Sequence, residues 1–227
     1  VWKDTTTYQI GVTRKWVNDG KDFVVADPNN IVACLYEAYP SDPTSVSDWD
    51  KVKDGMEWVL NGEGVATVKY DGACCAVING VFYKRYDAKH GKKAPDGAIP
   101  CCDPDPITGH HPHWLRVNAT DPADRWFTEA YKMTLMRELK PRLQDGTYEA
   151  VGKHFNSNPY GLDIDYLIKH GESIIPDEEL ERSFNGIKKY LQEHYIEGIV
   201  FWKDGEPQCK IKRTDFGFEW NGKGERQ

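Results

Sequence analysis

Polar residues fall on alternate positions from Val65, so that Val65, Thr67 and Lys69 share one face of an extended chain and Ala66, Val68 and Tyr70 the other. Two more β-rich runs follow at 73–78 and 81–86. The dipeptides Asp71-Gly72 and Asn79-Gly80 that separate the three runs are strong hairpin signals. The pattern predicts an antiparallel meander over 65–86 carrying Lys69 and Arg85. A helical period takes over at Asp124 and runs to Leu139, with Trp126, Phe127, Ala130, Tyr131, Leu135 and Leu139 on one stripe until Pro141 ends it; that stripe is expected in the core. Residues 147–152 read as strand again, 176–195 as one broken helix or two short ones, and 196–202 with 208–213 as a second strand pair. The resulting class is α+β, rich in antiparallel sheet.

Two stretches are less regular. Residues 88–114 form a polar run rich in Pro, Gly, Asp and His, expected as a long loop or lid. Residues 1–60 set Trp2, Trp16, Trp49 and Trp58 among turn-formers and are expected as a lead-in packed on a main domain over 61–227. With 227 residues, 39% of them hydrophobic, the chain has material for a substantial core. Its net charge of −7 argues against a protein that coats nucleic acid by bulk attraction, so contacts with nucleic acid must be local. The six cysteines Cys34, Cys74, Cys75, Cys101, Cys102 and Cys209 include two adjacent pairs, poor disulfide scaffolding, and are expected as reduced thiols. No apolar run approaches the ~18 residues of a membrane span and no signal-peptide pattern opens the chain. The expectation is a soluble cytoplasmic monomer.

Candidate chemistry centres on Lys69-Tyr70-Asp71-Gly72. A strand can hold a terminal lysine in one place, and an amine becomes a nucleophile only after losing its proton. Moving a lysine from its ordinary pKa of about 10.4 to roughly 7.5 takes on the order of 4 kcal/mol of differential destabilisation of the ammonium, which nearby cations supply. Taken alone, the tetrapeptide describes an exposed strand-end lysine before a turn.

It does not stand alone. Tyr83-Lys84-Arg85-Tyr86, Thr147-Tyr148-Glu149-Ala150-Val151-Gly152, Glu197-Gly198-Ile199-Val200-Phe201 and Lys210-Ile211-Lys212 follow in order. This succession of lysine, basic, acidic, acidic and paired-lysine segments resembles the covalent nucleotidyltransferases, the superfamily of ATP-dependent nucleic-acid ligases and mRNA capping enzymes. Lys69-Tyr70-Asp71-Gly72-Ala73-Cys74-Cys75, the run Asn156-Ser157-Asn158-Pro159-Tyr160-Gly161-Leu162 and residues 196–200 resemble, more narrowly, the small single-domain 5′-to-3′ RNA ligases of vertebrates and their viral and bacterial relatives.

The resemblance implies an ATP-grasp-like adenylation domain that joins RNA 5′-phosphate and 3′-hydroxyl ends. Lys69 would attack the α-phosphorus of ATP to form lysyl-AMP, and Lys210 and Lys212, on one face of their strand, would contact the α-phosphate and lower the pKa of Lys69. Asp71 and Gly72 would flank the nucleotide. Glu149 and Glu197 would lie near Mg²⁺ or Mn²⁺ or the ribose hydroxyls, since a hard ion on a phosphate substrate takes only one or two protein carboxylates. Arg85 suits an oxyanion, either the RNA 5′-phosphate or the nucleotide phosphates, and Phe155 or Tyr160 could stack on adenine. The cysteines and histidines between Cys101 and His113 match no standard zinc spacing; plain loop histidines, or His110 or His113 touching phosphate or RNA, are the other readings of that loop.

Other functions share parts of this pattern. A capping-type guanylyltransferase or a minimal DNA ligase would use the same lysine; such enzymes resemble one another in carrying an oligonucleotide-binding barrel after the last of these segments, and no such barrel is expected from the 15 residues 213–227. A non-catalytic nucleotide- or RNA-binding module would bind ATP without a covalent product; Lys69, Glu149, Glu197, Lys210 and Lys212 together speak for an enzyme.

Overall fold

The computed structural model describes residues 15–18, 21–24, 33–35, 38–39, 42–46, 52–88, 92–104 and 109–221. In chain order, five short strands come first: β1 (Lys15–Asn18), β2 (Lys21–Val24), β3 (Ala33–Cys34), β4 (Ala38–Tyr39) and β5 (Asp42–Val46). The one-turn helix α1 (Glu57–Leu60) precedes β6 (Val65–Lys69), β7 (Ala73–Ile78) and β8 (Val81–Ala88). Then come β9 (Ile99–Pro100), β10 (His111–Arg116), helix α2 (Arg125–Glu138), β11 (Gly146–Val151) and β12 (Tyr166–Lys169). Helix α3 (Phe184–Glu193) and the strands β13 (Gly198–Lys203) and β14 (Glu206–Lys212) complete the order. The class is α+β with mainly antiparallel pairing, as the periodicity predicts. Among the described residues no helix is long and apolar enough to cross a membrane.

These elements fall into two units, one holding 33–70 and 171–221 and the other 15–24 and 71–170 of the described residues. The first unit is built on a four-stranded sheet ordered β3-β14-β13-β6. One face of that sheet, with Ala66, Ile199, Phe201, Cys209 and Ile211, packs on Val59 of α1 and on Ile187, Tyr190 and Leu191 of α3. Helix α3 is single rather than broken, and the Ser183 hydroxyl caps it by accepting from Gly186 N–H at 3.0 Å.

The second unit is a six-stranded sheet ordered β12-β11-β7-β8-β10-β9. Strand β7 sends Cys75 and Val77 into a core with Ala130 of α2, and Cys74, Ala76 and Ile78 into a second core with Cys101 and Trp114. Burial on both faces explains why its sequence is an unbroken apolar run. Two expectations change here. Asn79-Gly80 is a true two-residue hairpin, with φ of 51° and 73° as the favoured turn requires, but Asp71-Gly72 is not a hairpin: β6 pairs with β13, and β7 with β8 and β11. The stretch 88–114 is also not all loop. Residues 111–116 pair with β8, because Ile99, Cys101 and Trp114 carry enough apolar surface to cover the outer face of β7.

Helix α2 turns the predicted stripe to the core, with Ala130 buried and Trp126, Phe127, Tyr131 and Leu135 partly buried against it, apart from Leu139, which takes the left-handed position just past the helix (φ 51°) and is 91% exposed. Most of the expected lead-in, Trp2 and Trp49 included, lies outside the described residues.

Candidate active site

Sheet register in the first unit explains the lysine face. Lys69, the last residue of β6, stands opposite Gly198 of β13, and Gly198 stands opposite Lys212 of β14; Lys210 lies two residues along, opposite Val200. Since Ala66, Ile199, Cys209 and Ile211 turn into the core, strand alternation puts Thr67, Lys69, Lys210 and Lys212 on the opposite face. Gly198 permits the close crossing: a Cβ there would meet the Ile211 carbonyl oxygen at 2.3 Å and Lys212 Cα at 2.9 Å.

Lys69 is 5% exposed, and its Nζ lies 2.5 Å from Oε2 of Glu197. Breaking such a buried pair by removing one partner strands a charge away from water. Asp215 accepts from the Lys212 backbone N–H at 2.8 Å and lies 3.7 Å from Lys212 Nζ. Burial, reinforced by the charges of Lys69 and Lys212 and opposed by Glu197 and Asp215, pushes the pKa of Lys210 down to about 7. Crowding among the amines thus registers on Lys210, which releases its proton near neutral pH.

A second constellation belongs to the other unit. Thr147 and Glu149 are alternate residues of β11 and share a face. Buried Glu149 accepts from Gly72 N–H at 2.9 Å through Oε1, and its Oε2 lies 3.0 Å from Nε2 of His170, whose Nδ1 is 2.9 Å from Thr147 Oγ1. Asp71 N–H donates to the Tyr160 hydroxyl at 2.7 Å. The Asn156 amide donates to Asp71 Oδ1 at 2.8 Å and to the Gly72 carbonyl at 2.5 Å. Asn156, Ser157 and Asn158 hold φ of 41°, 60° and 52°, three successive left-handed residues. That conformation costs an L-residue roughly 1–2 kcal/mol, and here it aims the Asn156 amide at the turn after the lysine. Asn158 steadies the loop, its side chain both accepting from and donating to the Leu162 backbone at 2.9 Å.

Several candidates from the sequence have other neighbours. Both donors of the Arg85 fork lie 2.7 Å from Asp87, which also sits 3.3 Å from His110 Nε2. Burial opposes the Asp87 charge, yet Arg85 and His110 hold its carboxyl below the ordinary range; an incoming phosphate therefore competes with this carboxylate for Arg85. Lys84, on the opposite face, pairs with Asp124. Phe155 is 5% exposed, edge-on to Phe127 at 5.2 Å, in the core between β7 and α2. A base cannot stack on a ring packed this way, whereas Tyr160 is half-buried at the turn itself. Cys101 and Cys102 are buried, burial pushes the Cys101 thiol well up, and among the described residues no three His, Cys, Asp or Glu side chains gather as a metal site.

A hard divalent cation coordinated mainly by phosphate and water is the kind of metal that a lone carboxylate such as Glu149 or Glu197 suits. His170 and Asn156 are the polar residues that periodicity did not single out. Thr147-x-Glu149 hints at a polar face, but the histidine meeting it is set only by the β11–β12 pairing.

No protein-family model matches the chain. It is similar to RNA ligase 1 of Danio rerio, with 28% identity over 138 aligned residues that take in 49% of this chain and 42% of that protein. The similarity supports a distant relationship to an RNA ligase. The matched segment spans about two fifths of the length of that curated relative.

Proposed function

We propose that the protein is an ATP-dependent RNA ligase acting through a lysyl-AMP intermediate. The observation that carries the reading is the buried Lys69 amine, in register with Lys212 across β13 and 2.5 Å from the Glu197 carboxylate. An amine held this way has a proton acceptor within reach, and its strand partners bring cations to its face.

In the first step the Lys69 amine attacks the α-phosphorus of ATP. An N–P bond forms, the bond to the bridging oxygen breaks, pyrophosphate leaves, and Glu197 takes the amine proton. Lys212 and Lys210 bear on the charge that builds on the α-phosphate. Lys210, neutral or charged near pH 7, regains its proton readily beside an anion. In the second step the RNA 5′-phosphate displaces lysine from AMP, giving an adenylylated end; in the third, the 3′-hydroxyl oxygen attacks that phosphate and AMP departs. Mg²⁺ or Mn²⁺ would supply charge neutralisation on the triphosphate, held chiefly by the phosphates with Glu197 or Glu149 contributing an oxygen. Glu149, itself met by His170, accepts from the Gly72 amide and so holds the turn that directly follows the nucleophile. Arg85 exchanges Asp87 for a phosphate when substrate enters.

The similarity to an RNA ligase supports RNA as the nucleic acid. The test incubates the protein with α-labelled ATP or GTP and Mg²⁺ and looks for acid-labile label on the denatured band, then offers 5′-phosphorylated RNA. Label from ATP followed by sealing of RNA is expected. Label from GTP alone points to a capping-type enzyme, sealing of nicked DNA but never RNA to a DNA ligase, and ATP binding without covalent label to a non-catalytic module.

A further inference from the structure

Apart from the lysine and glutamate constellations, the second unit contains a cavity of about 490 Å³ whose lining includes Ala88, Lys92, Lys93, Asp96, His111 and His113. That size lies within the roughly 300–1,000 Å³ of ligand sites, yet two lysines and two histidines are not the apolar walls of a hydrophobic pocket.

The histidines are fixed. His111 and His113 are alternate residues of β10, opposite Ala88 and Tyr86 of β8, with ring centroids 4.2 Å apart. The Nδ1 of His113 lies 2.8 Å from the His111 carbonyl oxygen, which can only accept, so that nitrogen carries a proton. The Nε2 of His111 is buried and has no hydrogen-bond partner among the described residues. A buried polar atom without a partner costs about 1–3 kcal/mol and calls for a ligand or water.

Lys92 and Lys93 are exposed at the rim. Asp96 is 3.8 Å from Lys93, but both side chains stand in open water, where such a pair is weak and readily exchanged. In a chain of net charge −7 this gathers two ammonium groups and an unpartnered imidazole nitrogen, a donor in its Nε2–H tautomer, against one displaceable carboxylate. A phosphate oxyanion is the ligand that accepts from all of them.

We propose that this cavity binds a phosphate group of the RNA strand, with Lys92, Lys93 and the Nε2–H of His111 as donors. The phosphate chemistry follows from the cavity; that the phosphate belongs to RNA rests on the ligase reading above.

The experiment measures binding of single-stranded RNA by fluorescence anisotropy over a salt series. It compares the unaltered protein with a Lys92→Ala/Lys93→Ala double variant and with His111→Ala, using one RNA with a 5′-phosphate and the same RNA with a 5′-hydroxyl. Losing one phosphate contact lowers the slope of log K against log salt by about 0.7 in the lysine variant, and losing a hydrogen bond to a charged group weakens His111→Ala about tenfold or more. Equal losses with both RNAs identify an internal phosphate; losses confined to the 5′-phosphorylated RNA identify the terminal one. Unchanged affinity and slope in both variants, or no RNA binding by the unaltered protein, overturns the proposal. The lysines are exposed, so the double variant keeps its melting temperature, and labelling by ATP is expected to be unchanged in it. Absence of that label in the unaltered protein would overturn the ligase reading instead, while the anisotropy comparison still decides the cavity.

Discussion

Gly72→Ala tests whether the turn after Lys69 is held by close contact. A Cβ at position 72 would stand 2.1 Å from the Ala150 carbonyl oxygen and 3.0 Å from Glu149 Cγ. Neither neighbour yields easily, because Ala150 is fully buried in β11, which pairs with both β7 and β12. The turn itself must therefore retreat, by about 1.3 Å to regain an ordinary 3.4 Å contact. That movement breaks the 2.9 Å hydrogen bond from Gly72 N–H to Glu149 and disturbs the 2.5 Å bond from Asn156 to the Gly72 carbonyl. Overpacking of this kind costs about 1–3 kcal/mol, and the buried carboxylate left short of a donor adds a cost of similar size. Only Tyr70 and Asp71 separate Gly72 from Lys69, so displacing the turn displaces the strand end that carries the amine. Misplacing a reacting group by about 1 Å costs on the order of 100-fold in rate. The assay is the initial rate of label transfer from α-labelled ATP to protein, with a melting curve alongside to establish that the variant is folded. A folded Gly72→Ala protein labelled within about threefold of the unaltered rate would refute the reasoning.

Lys69→Ala and Lys69→Arg are both expected to abolish labelling, because a guanidinium does not shed its proton at working pH; label on the arginine variant would identify a different nucleophile. Phe155→Ala is expected to lower the melting temperature by about 6–20 °C, from a loss of about 3–5 kcal/mol, with ATP affinity retained while it stays folded; weakened ATP binding at an unchanged melting temperature would contradict the core placement. Lys210 binds its proton up to about pH 10.4 in the unfolded chain but only up to about 7 when folded. The unfolded state thus holds the extra proton between those values, and the cost of charging half-buried Lys210 is complete below about pH 7 and relieved as pH rises. Lys210→Met should therefore gain stability over the unaltered protein near pH 6 and lose that advantage by about pH 10, as read from denaturant unfolding; an advantage independent of pH would sink this account.

Much of the architecture was legible in local pattern. Alternation at 65–69 identified which face Lys69 shares with Thr67, the helical period located α2, and Asn79-Gly80 marked a real hairpin because left-handed φ at both residues is a property of the dipeptide itself. Asp71-Gly72 carries the same kind of signal yet joins strands of different sheets, since strand pairing depends on which apolar face each strand must cover. Leu139 fits the helical stripe but ends in solvent, because the chain turns left-handed there to close the helix. Phe155 looked like a residue for a base; the packing of α2 against β7 makes it core.

The order of chemical segments along the chain, and the strand alternation that puts Lys210 and Lys212 side by side, are written in the sequence alone. Tertiary structure decided the partners. Glu197 reaches Lys69 from 128 positions away, and Glu149 meets Gly72 from 77 positions away. Periodicity is short-ranged, extending over a turn or a pleat, whereas these contacts follow from β-sheet register between distant segments, which burial of whole faces selects only when the chain folds.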